Sequence, residues 1–300
     1  MARVKPSSSE EESLGTLTSI DDRSDLIGLG DVVHAQGLIP VEQLQAVVDS
    51  LLGMRQVARD AGASDIVVMG TEPLRRASNA DELVTAVSRY LGMPMHVLTV
   101  DQEAVLTFLG VAAGRPLDRA FAVVDIGGGS TELSLYVPGR SLEVVPVRIG
   151  SARLTNSRVH NDPPTWTEID DLVATARAAV AAAQWPSLPA GAIGGAIFVG
   201  GTATNIARMG RFDRQHLEED LATLSRVSAD EVVDLFGVRP RRARQLAAGV
   251  AIVRAVLEKL NLPEAEVSEA SLRDGAILAR ASYGDEWLKP MAELPGMVPT

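Results

Sequence analysis

The residues best suited to chemistry lie in one run, Val123-Val124-Asp125-Ile126-Gly127-Gly128-Gly129-Ser130-Thr131-Glu132-Leu133. An apolar segment ends in a carboxylate, three glycines follow, and the chain turns back into a second apolar segment. Glycine has no Cβ, so successive backbone N–H groups can converge on an anion. An aspartate at a strand end beside such a turn suits a hydrated Mg²⁺ that bridges to phosphate oxygens. Glu132, on the returning limb, is placed to share that metal or to position a water. The competing reading is a ligand-free hairpin turn, but three glycines between an Asp and a Ser-Thr-Glu exceed what a simple turn needs.

A second strand-to-glycine transition follows at Phe198-Val199-Gly200-Gly201-Thr202-Ala203-Thr204. A helix starting there offers unpaired N–H groups and a positive dipole end to an anion. Many helices begin this way, so the signal gains force only as a partner to the first turn. Glu103, in Val100-Asp101-Gln102-Glu103-Ala104, opens another helix; it is a candidate general base on water. From the local sequence alone, an ordinary first-turn acid complementing the dipole is the favoured reading. Arg75 and Arg76 follow Gly70-Thr71-Glu72-Pro73-Leu74 at a strand end, where ligands bind and an arginine can clamp phosphate. The alternative is a pair of surface arginines. Arg239, Arg241, Arg242 and Arg244 form the densest basic cluster, either a path for a polyanion or a solvated helix start.

The elements that must position these residues alternate between strand and helix. Leu44, Val47, Val48, Leu51, Leu52 and Val57 recur at helical spacing over 41–61, with Gly62 as terminator. The short apolar run 65–69 predicts a buried parallel strand. A helix follows to about 91, with Asn79 as its N-cap and Glu82 three residues on. Strand 95–100 and helix 102–112 complete a β-α-β-α order, which argues for a parallel sheet covered by helices. Gly114-Arg115-Pro116-Leu117 marks the expected junction between domains 1–114 and 115–300. Beyond it the pattern predicts strand 120–125, a hairpin of strands 131–137 and 142–147, helix 166–183 and strand 196–199. Helices 229–236 and 241–260, strand 266–268, helix 272–281 and a loose Pro-rich tail complete the reading.

Bulk composition narrows the function classes. With 46% hydrophobic residues in 300, the chain can bury full cores in one large or two ordinary domains. A net charge of -11 argues against coating nucleic acid or an anionic membrane. There are no cysteines, which excludes disulfides, thiolate zinc sites and cysteine nucleophiles. His34, His96, His160 and His216 are scattered without ligand spacing. The polar start, with Glu10-Glu11-Glu12, has no apolar signal-peptide core, so a cytoplasmic location is expected.

Taken together, these segments resemble the exopolyphosphatase and guanosine pentaphosphate phosphohydrolase (Ppx/GppA phosphatase) family of the actin-like ATPase superfamily. The resemblance is carried by 125–132, by the run from Glu103 to Gly110, by 71–79 with Leu74-Arg75, by 200–204, and by 268–278 with Leu272-Arg273-Asp274-Gly275. It implies an α/β, actin-like (RNase H-like) fold of two similar domains with a cleft between them. Two glycine turns, one in each of two similar half-domains, are how that fold grips a phosphate chain. The implied activity is release of terminal phosphate from inorganic polyphosphate, or of the 5′-γ-phosphate from guanosine pentaphosphate. Carried over by residue, Glu103 would activate water, and Asp125 and Glu132 would support Mg²⁺. Arg75, Gly127, Gly128, Gly129, Ser130, Gly200, Gly201 and Thr202 would hold phosphates. The family allows a homodimer. Two departures stand out. The family's first phosphate loop, an Asp-x-Gly-Ser-Asn type segment, is not in the sequence, so the first domain reads as truncated at its N-terminus. Asp101-Gln102 also replaces the usual Gly and acidic residue before Glu103. A non-catalytic phosphate-binding regulator descended from the enzyme is therefore the alternative, and an actin-like sugar or acetate kinase a more distant one.

Overall fold

The computed structural model describes residues 1–5, 16–25, 27–189 and 191–288. The described residues divide into two compact units, one formed by 1–5 with 16–103 and the other starting at Ala104.

In the first unit, β1 (Ala2–Lys5) and β2 (Thr16–Ser19) pair as an antiparallel ladder. Neither strand was expected, because four-residue polar segments carry no hydrophobic alternation to read. The acidic run at 10–12 lies outside the described residues. Helix α1 (Leu29–Gln36) precedes α2 (Val41–Asp60), whose Val47 and Val48 are buried as the periodicity predicts. Strand β3 (Val68–Gly70) leads into the short α3 (Glu72–Arg76), then α4 (Ala80–Leu91) and β4 (Met95–Val97). β3 and β4 are parallel, so this is the β-α-β arrangement the pattern called for. Asn79 does precede α4, but its side chain makes no cap there. It instead accepts from the Ile39 N–H at 2.8 Å and donates to the Ile39 carbonyl at 3.0 Å, tying the α4 start to the chain before α2. Val33, Ile39, Val48, Leu74, Leu83, Val87 and Leu91 form this unit's core.

The expected strand to 100 stops at Val97, because Thr99 caps a helix instead. α5 (Val100–Ala112) opens with a reciprocal box. The Thr99 hydroxyl accepts from the Gln102 N–H at 3.1 Å, and the Gln102 side chain accepts from the Thr99 N–H at 3.0 Å. Gln102, a departure from the family pattern, thus has a local structural reason. The division between the two units falls within α5, and the Gly114–Leu117 stretch follows its end.

The second unit is built on a five-stranded sheet. Its strands are β5 (Phe121–Ile126), β6 (Thr131–Tyr136), β7 (Glu143–Val147), β8 (Ala196–Val199) and β9 (Glu266–Val267), in the order β7-β6-β5-β8-β9. β5, β6 and β7 form an antiparallel meander, while β8 and β9 join parallel to β5. The intervening helices are α6 (Ser151–Arg158), α7 (Trp166–Ala182), α8 (Gly200–Ile206), α9 (Arg214–Leu224) and α10 (Ala229–Phe236). After them come α11 (Pro240–Ala243), α12 (Leu246–Leu260) and α13 (Leu272–Tyr283). The single helix expected over 241–260 is two, because the Gln245 N–H bonds Arg242 three residues back and tightens the chain between them. The loose tail expected after the last helix falls at 289–300, outside the described residues.

Strand alternation divides this sheet's side chains between two cores. Ala122, Val124, Leu133, Leu135, Val145 and Phe198 face α7 and α12, and α12 is buried along most of its length. Val123, Tyr136, Ile197 and Val199 face Phe108, Val111 and Ala112 of α5. By the same alternation, Asp125, Glu132 and Ser134 stand on the α5 face.

One buried acid in this unit gives a stability prediction. Asp220 of α9 is 7% exposed, and its Oδ2 has no hydrogen-bond partner among the described residues. Burial pushes its carboxyl from the ordinary 3.8 up to about 6; the nearby His216 opposes the shift, while Glu219 and Asp213 add to it. A raised folded-state value means the fold binds this proton more tightly than the unfolded chain does. Its destabilising charge therefore appears as pH rises from about 4 to about 6 and persists above. Asp220→Asn is expected to raise stability at about pH 8 by on the order of 1–3 kcal/mol, and to give no gain near pH 4. Thermal melts of both proteins at the two pH values test this.

Candidate functional site

The two glycine turns, expected one in each half-domain, both lie in the second unit, which brings them together through its strand register. Asp125 of β5 lies beside Val199 of β8 in a parallel pair, so both strands end at the same level. Each runs at its carboxyl end into glycines, which is where open α/β sheets bind ligands. The first turn is closed by the Gly127 N–H donating to the Ser130 carbonyl at 3.0 Å. Its carbonyls are taken up by the first turn of α6. The Ser151 N–H donates to Gly127 at 3.0 Å and the Arg153 N–H to Gly128 at 2.9 Å. Among the described residues, the N–H groups of Gly128, Gly129 and Ser130 donate to no protein acceptor. Three consecutive open N–H groups in one turn have a geometry that suits an anion.

Asp125 and Glu132 are direct cross-strand partners, on the same face of the sheet. Two carboxylates are the usual protein share of a Mg²⁺ site, with water and phosphate completing the shell. The donor set fits that ion.

The second turn is packed directly on the first site. Gly200 has φ +82°, and a Cβ there would stand 2.6 Å from the Asp125 Oδ1. Both its conformation and its contact demand glycine. Gly200→Ala is expected to displace the Asp125 carboxylate and weaken Mg²⁺ binding at least ten-fold, measured by calorimetry with MgCl₂ and tripolyphosphate. Thr202 is buried, its methyl seated in a notch that only a glycine at 249 leaves open. Arg242 lies over Gly201, with its guanidinium nitrogen 3.3 Å from where a Cβ would stand. Arg242 is thus a member of the arginine cluster that the structure brings to a glycine turn. Arg239 instead precedes α11 as its N-cap residue.

In the first unit, Arg75 and Glu103 meet. The Arg75 guanidinium donates to the Glu103 carboxylate at 2.8 Å and, from the same nitrogen, to the Leu98 carbonyl at 2.8 Å. Both side chains are about one-fifth exposed, at 21% and 18%. α3 delivers Arg75 because Pro73 sits in its first turn, directly after β3. Glu103 is thus a paired carboxylate as well as a first-turn acid of α5. Ala104, the next residue, belongs to the second unit, where the Ser134 hydroxyl donates to its carbonyl at 3.1 Å.

A family model of Ppx/GppA phosphatases matches residues 8–283 of this sequence. The chain belongs to the Ppx/GppA phosphatase family. Exopolyphosphatase 1 of Mycobacterium tuberculosis is 26% identical over 285 residues, covering 89% of this chain and 81% of that protein. A guanosine-5'-triphosphate,3'-diphosphate pyrophosphatase of Vibrio cholerae is 27% identical over 251 residues, covering 80% of this chain and 49% of that one. Among solved structures, the Aquifex aeolicus Ppx/GppA family member superposes with a TM-score of 0.77 at 24% identity, covering 90% of this chain and 91% of its own. An exopolyphosphatase from Cytophaga hutchinsonii gives 0.74 at 19% identity, covering 89% and 90%. The fold is accordingly α/β, of the actin-like ATPase type.

The Ppx/GppA closing motif acquires a physical meaning from the second unit. Gly275 of α13 faces α5, and a Cβ there would overlap the Leu106 carbonyl oxygen and stand 2.6 Å from its carbon. A Cβ at Gly110 would likewise overlap the Ser271 carbonyl oxygen and stand 2.9 Å from the Gly275 nitrogen. The two helices meet backbone to backbone.

Proposed function

We propose that this chain is a phosphoanhydride hydrolase that releases the terminal phosphate of inorganic polyphosphate by attack of water. The observation that supports it most is the pair of glycine turns at the ends of adjacent parallel strands, beside two opposed carboxylates. The N–H groups of Gly128 to Ser130 and of Gly200 to Thr202 would bind non-bridging phosphate oxygens, with Arg242 adding a cation, while the Gly127 N–H closes the turn on the Ser130 carbonyl. Arg75 would orient Glu103 and share in phosphate binding as negative charge builds up. Glu103 would take a proton from the attacking water as its oxygen bonds the terminal phosphorus and the bridging P–O bond breaks. The shortened polyphosphate leaves with the electron pair of that bond. Mg²⁺, held by Asp125 and Glu132, would supply charge neutralisation on the phosphate oxygens. Positioning and electrostatics of this kind carry most of phosphoryl transfer.

Coverage favours polyphosphate over guanosine pentaphosphate, since the match spans 81% of the mycobacterial exopolyphosphatase and 49% of the Vibrio pyrophosphatase. The test is phosphate release with Mg²⁺ from long-chain polyphosphate and from guanosine pentaphosphate in parallel. Stepwise loss of terminal phosphate from polyphosphate at the higher kcat/KM supports the reading. Preference for guanosine pentaphosphate shifts it to the nucleotide, and binding without release makes the chain a phosphate-binding regulator.

A further inference from the structure

The two glycine turns face a geometric problem that neither solves alone. A phosphate chain gripped by both requires their N–H groups at a fixed separation, yet glycine is the residue least able to hold a backbone in place. Between them stands Ser151, fully buried at the start of α6. Its N–H donates to the Gly127 carbonyl at 3.0 Å, and its hydroxyl lies 3.4 Å from the same oxygen. The hydroxyl also lies 3.1 Å from that of Thr202, on the second turn. Ser151 is therefore bonded to both turns at once.

The surrounding packing forces this position. A Cβ at Gly150 would stand 2.5–2.6 Å from the Gly128 carbonyl carbon and oxygen and the Gly129 nitrogen, so glycine there lets α6 begin directly against the first turn. On the other side, a Cβ at Gly249 would stand 2.5 Å from the Thr202 methyl, so the same economy seats Thr202 against α12. The Thr131 hydroxyl, donating to the Ile149 carbonyl at 2.8 Å, fixes the chain just before α6 to β6. Each partner is pinned from outside and the two hydroxyls meet in a buried contact. There, a hydrogen bond is stronger than in water, and leaving one partner unmade is costly.

We propose that Ser151 is a positioning residue that sets the register of the two phosphate-gripping turns through its hydroxyl contact with Thr202. This rests on the assignment of those turns as the phosphate grip. A hydroxyl carries one proton, so the contact has a direction. When Thr202 donates to Ser151, Ser151 donates onward to Gly127. When Ser151 donates to Thr202, the Thr202 proton is left for a phosphate oxygen. In both states the two turns stay linked.

The experiment is a double-mutant cycle of Ser151→Ala and Thr202→Val, with Thr202→Ser as the conservative variant. Equilibrium binding of inorganic tripolyphosphate with Mg²⁺ is read by calorimetry, kcat and KM for polyphosphate by phosphate release, and stability by thermal melts. Each single variant is expected to weaken tripolyphosphate binding about ten-fold. The double variant should be no more than about two-fold worse than either, and Thr202→Ser should bind within about two-fold of the parent. In a folded set, losses that simply multiply overturn the proposal, as does unchanged binding or a Thr202→Ser variant as poor as Thr202→Val. A purely structural role would lower the melting temperature and leave the affinity of the folded fraction unmoved, which also overturns it. If the parent binds tripolyphosphate with this non-additive pattern but releases no phosphate, the register stands and the hydrolase reading falls. If the parent binds no tripolyphosphate, both fall.

Discussion

Glu103→Gln is expected to lower phosphate release from polyphosphate by about 10³-fold, within the range a positioned general base contributes. Glutamine keeps the side chain's length and an oxygen for the Arg75 guanidinium, which donates to Glu103 at 2.8 Å. What it loses is the ability to accept a proton. The loss should therefore fall on kcat, with KM for polyphosphate changed by less than about three-fold, since a base acts in the transition state and not in substrate binding. Thermal melts should fall modestly, because the ion pair with Arg75 becomes a neutral hydrogen bond; the rates are therefore compared at equal folded concentration. Glu103→Ala is the harsher variant, since it leaves Arg75 without this carboxylate; a larger loss that includes KM is expected there. A Glu103→Gln variant with full turnover would remove Glu103 from the chemistry and leave it as a structural partner of Arg75.

Gly275→Ala is expected to be the most damaging single methyl group in the second unit. Its Cβ would overlap the Leu106 carbonyl oxygen, which is backbone in the middle of α5 and cannot swing aside as a side chain would. α13 must shift bodily, and overpacking of this kind costs about 3 kcal/mol or more. The effect should reach function as well, because Leu106 lies three residues after Glu103 on the same helix. Denaturant unfolding should show a lower midpoint at unchanged slope. Under conditions where the variant is folded, phosphate release should still be reduced. A melt equal to the parent's would mean that α5 and α13 do not approach backbone to backbone.

What could be read in the sequence follows from how local each determinant is. Strand β8 and helix α10 were legible to the residue, since a continuous apolar run before glycines and a Ser-x-x-Glu box are both local signals. The Asp125 turn was legible for the same reason. Helix α9 was missed although Leu217, Leu221 and Leu224 recur at helical spacing, because its first turn is charged and the apolar face begins only at its fourth residue. Helix α6 offered less: only Leu154 among its buried residues is strongly apolar, and its place is set by Gly150 and Ser151 against a turn more than twenty residues earlier. Such a contact has no periodicity to reveal it. The pairing of Arg75 with Glu103 spans 28 residues. The sequence singles each out separately, with expected roles as phosphate ligand and as base, and their partnership appears only when α3 and α5 are seen together. Arg242 was one of four cluster arginines until its guanidinium was seen over Gly201. The spacing of Gly110 and Gly275 is similarly silent in sequence. A motif can show that glycine belongs there, but only the helix contact says why.

The most direct test of the central claim is a time course of orthophosphate release from long-chain polyphosphate with Mg²⁺, run with the parent chain and with Glu103→Gln at equal folded concentration. The account predicts linear release by the parent, one terminal phosphate at a time, and a rate about 10³-fold lower for the variant. Equal rates for the two proteins, or no release by a parent that melts cooperatively, would contradict it.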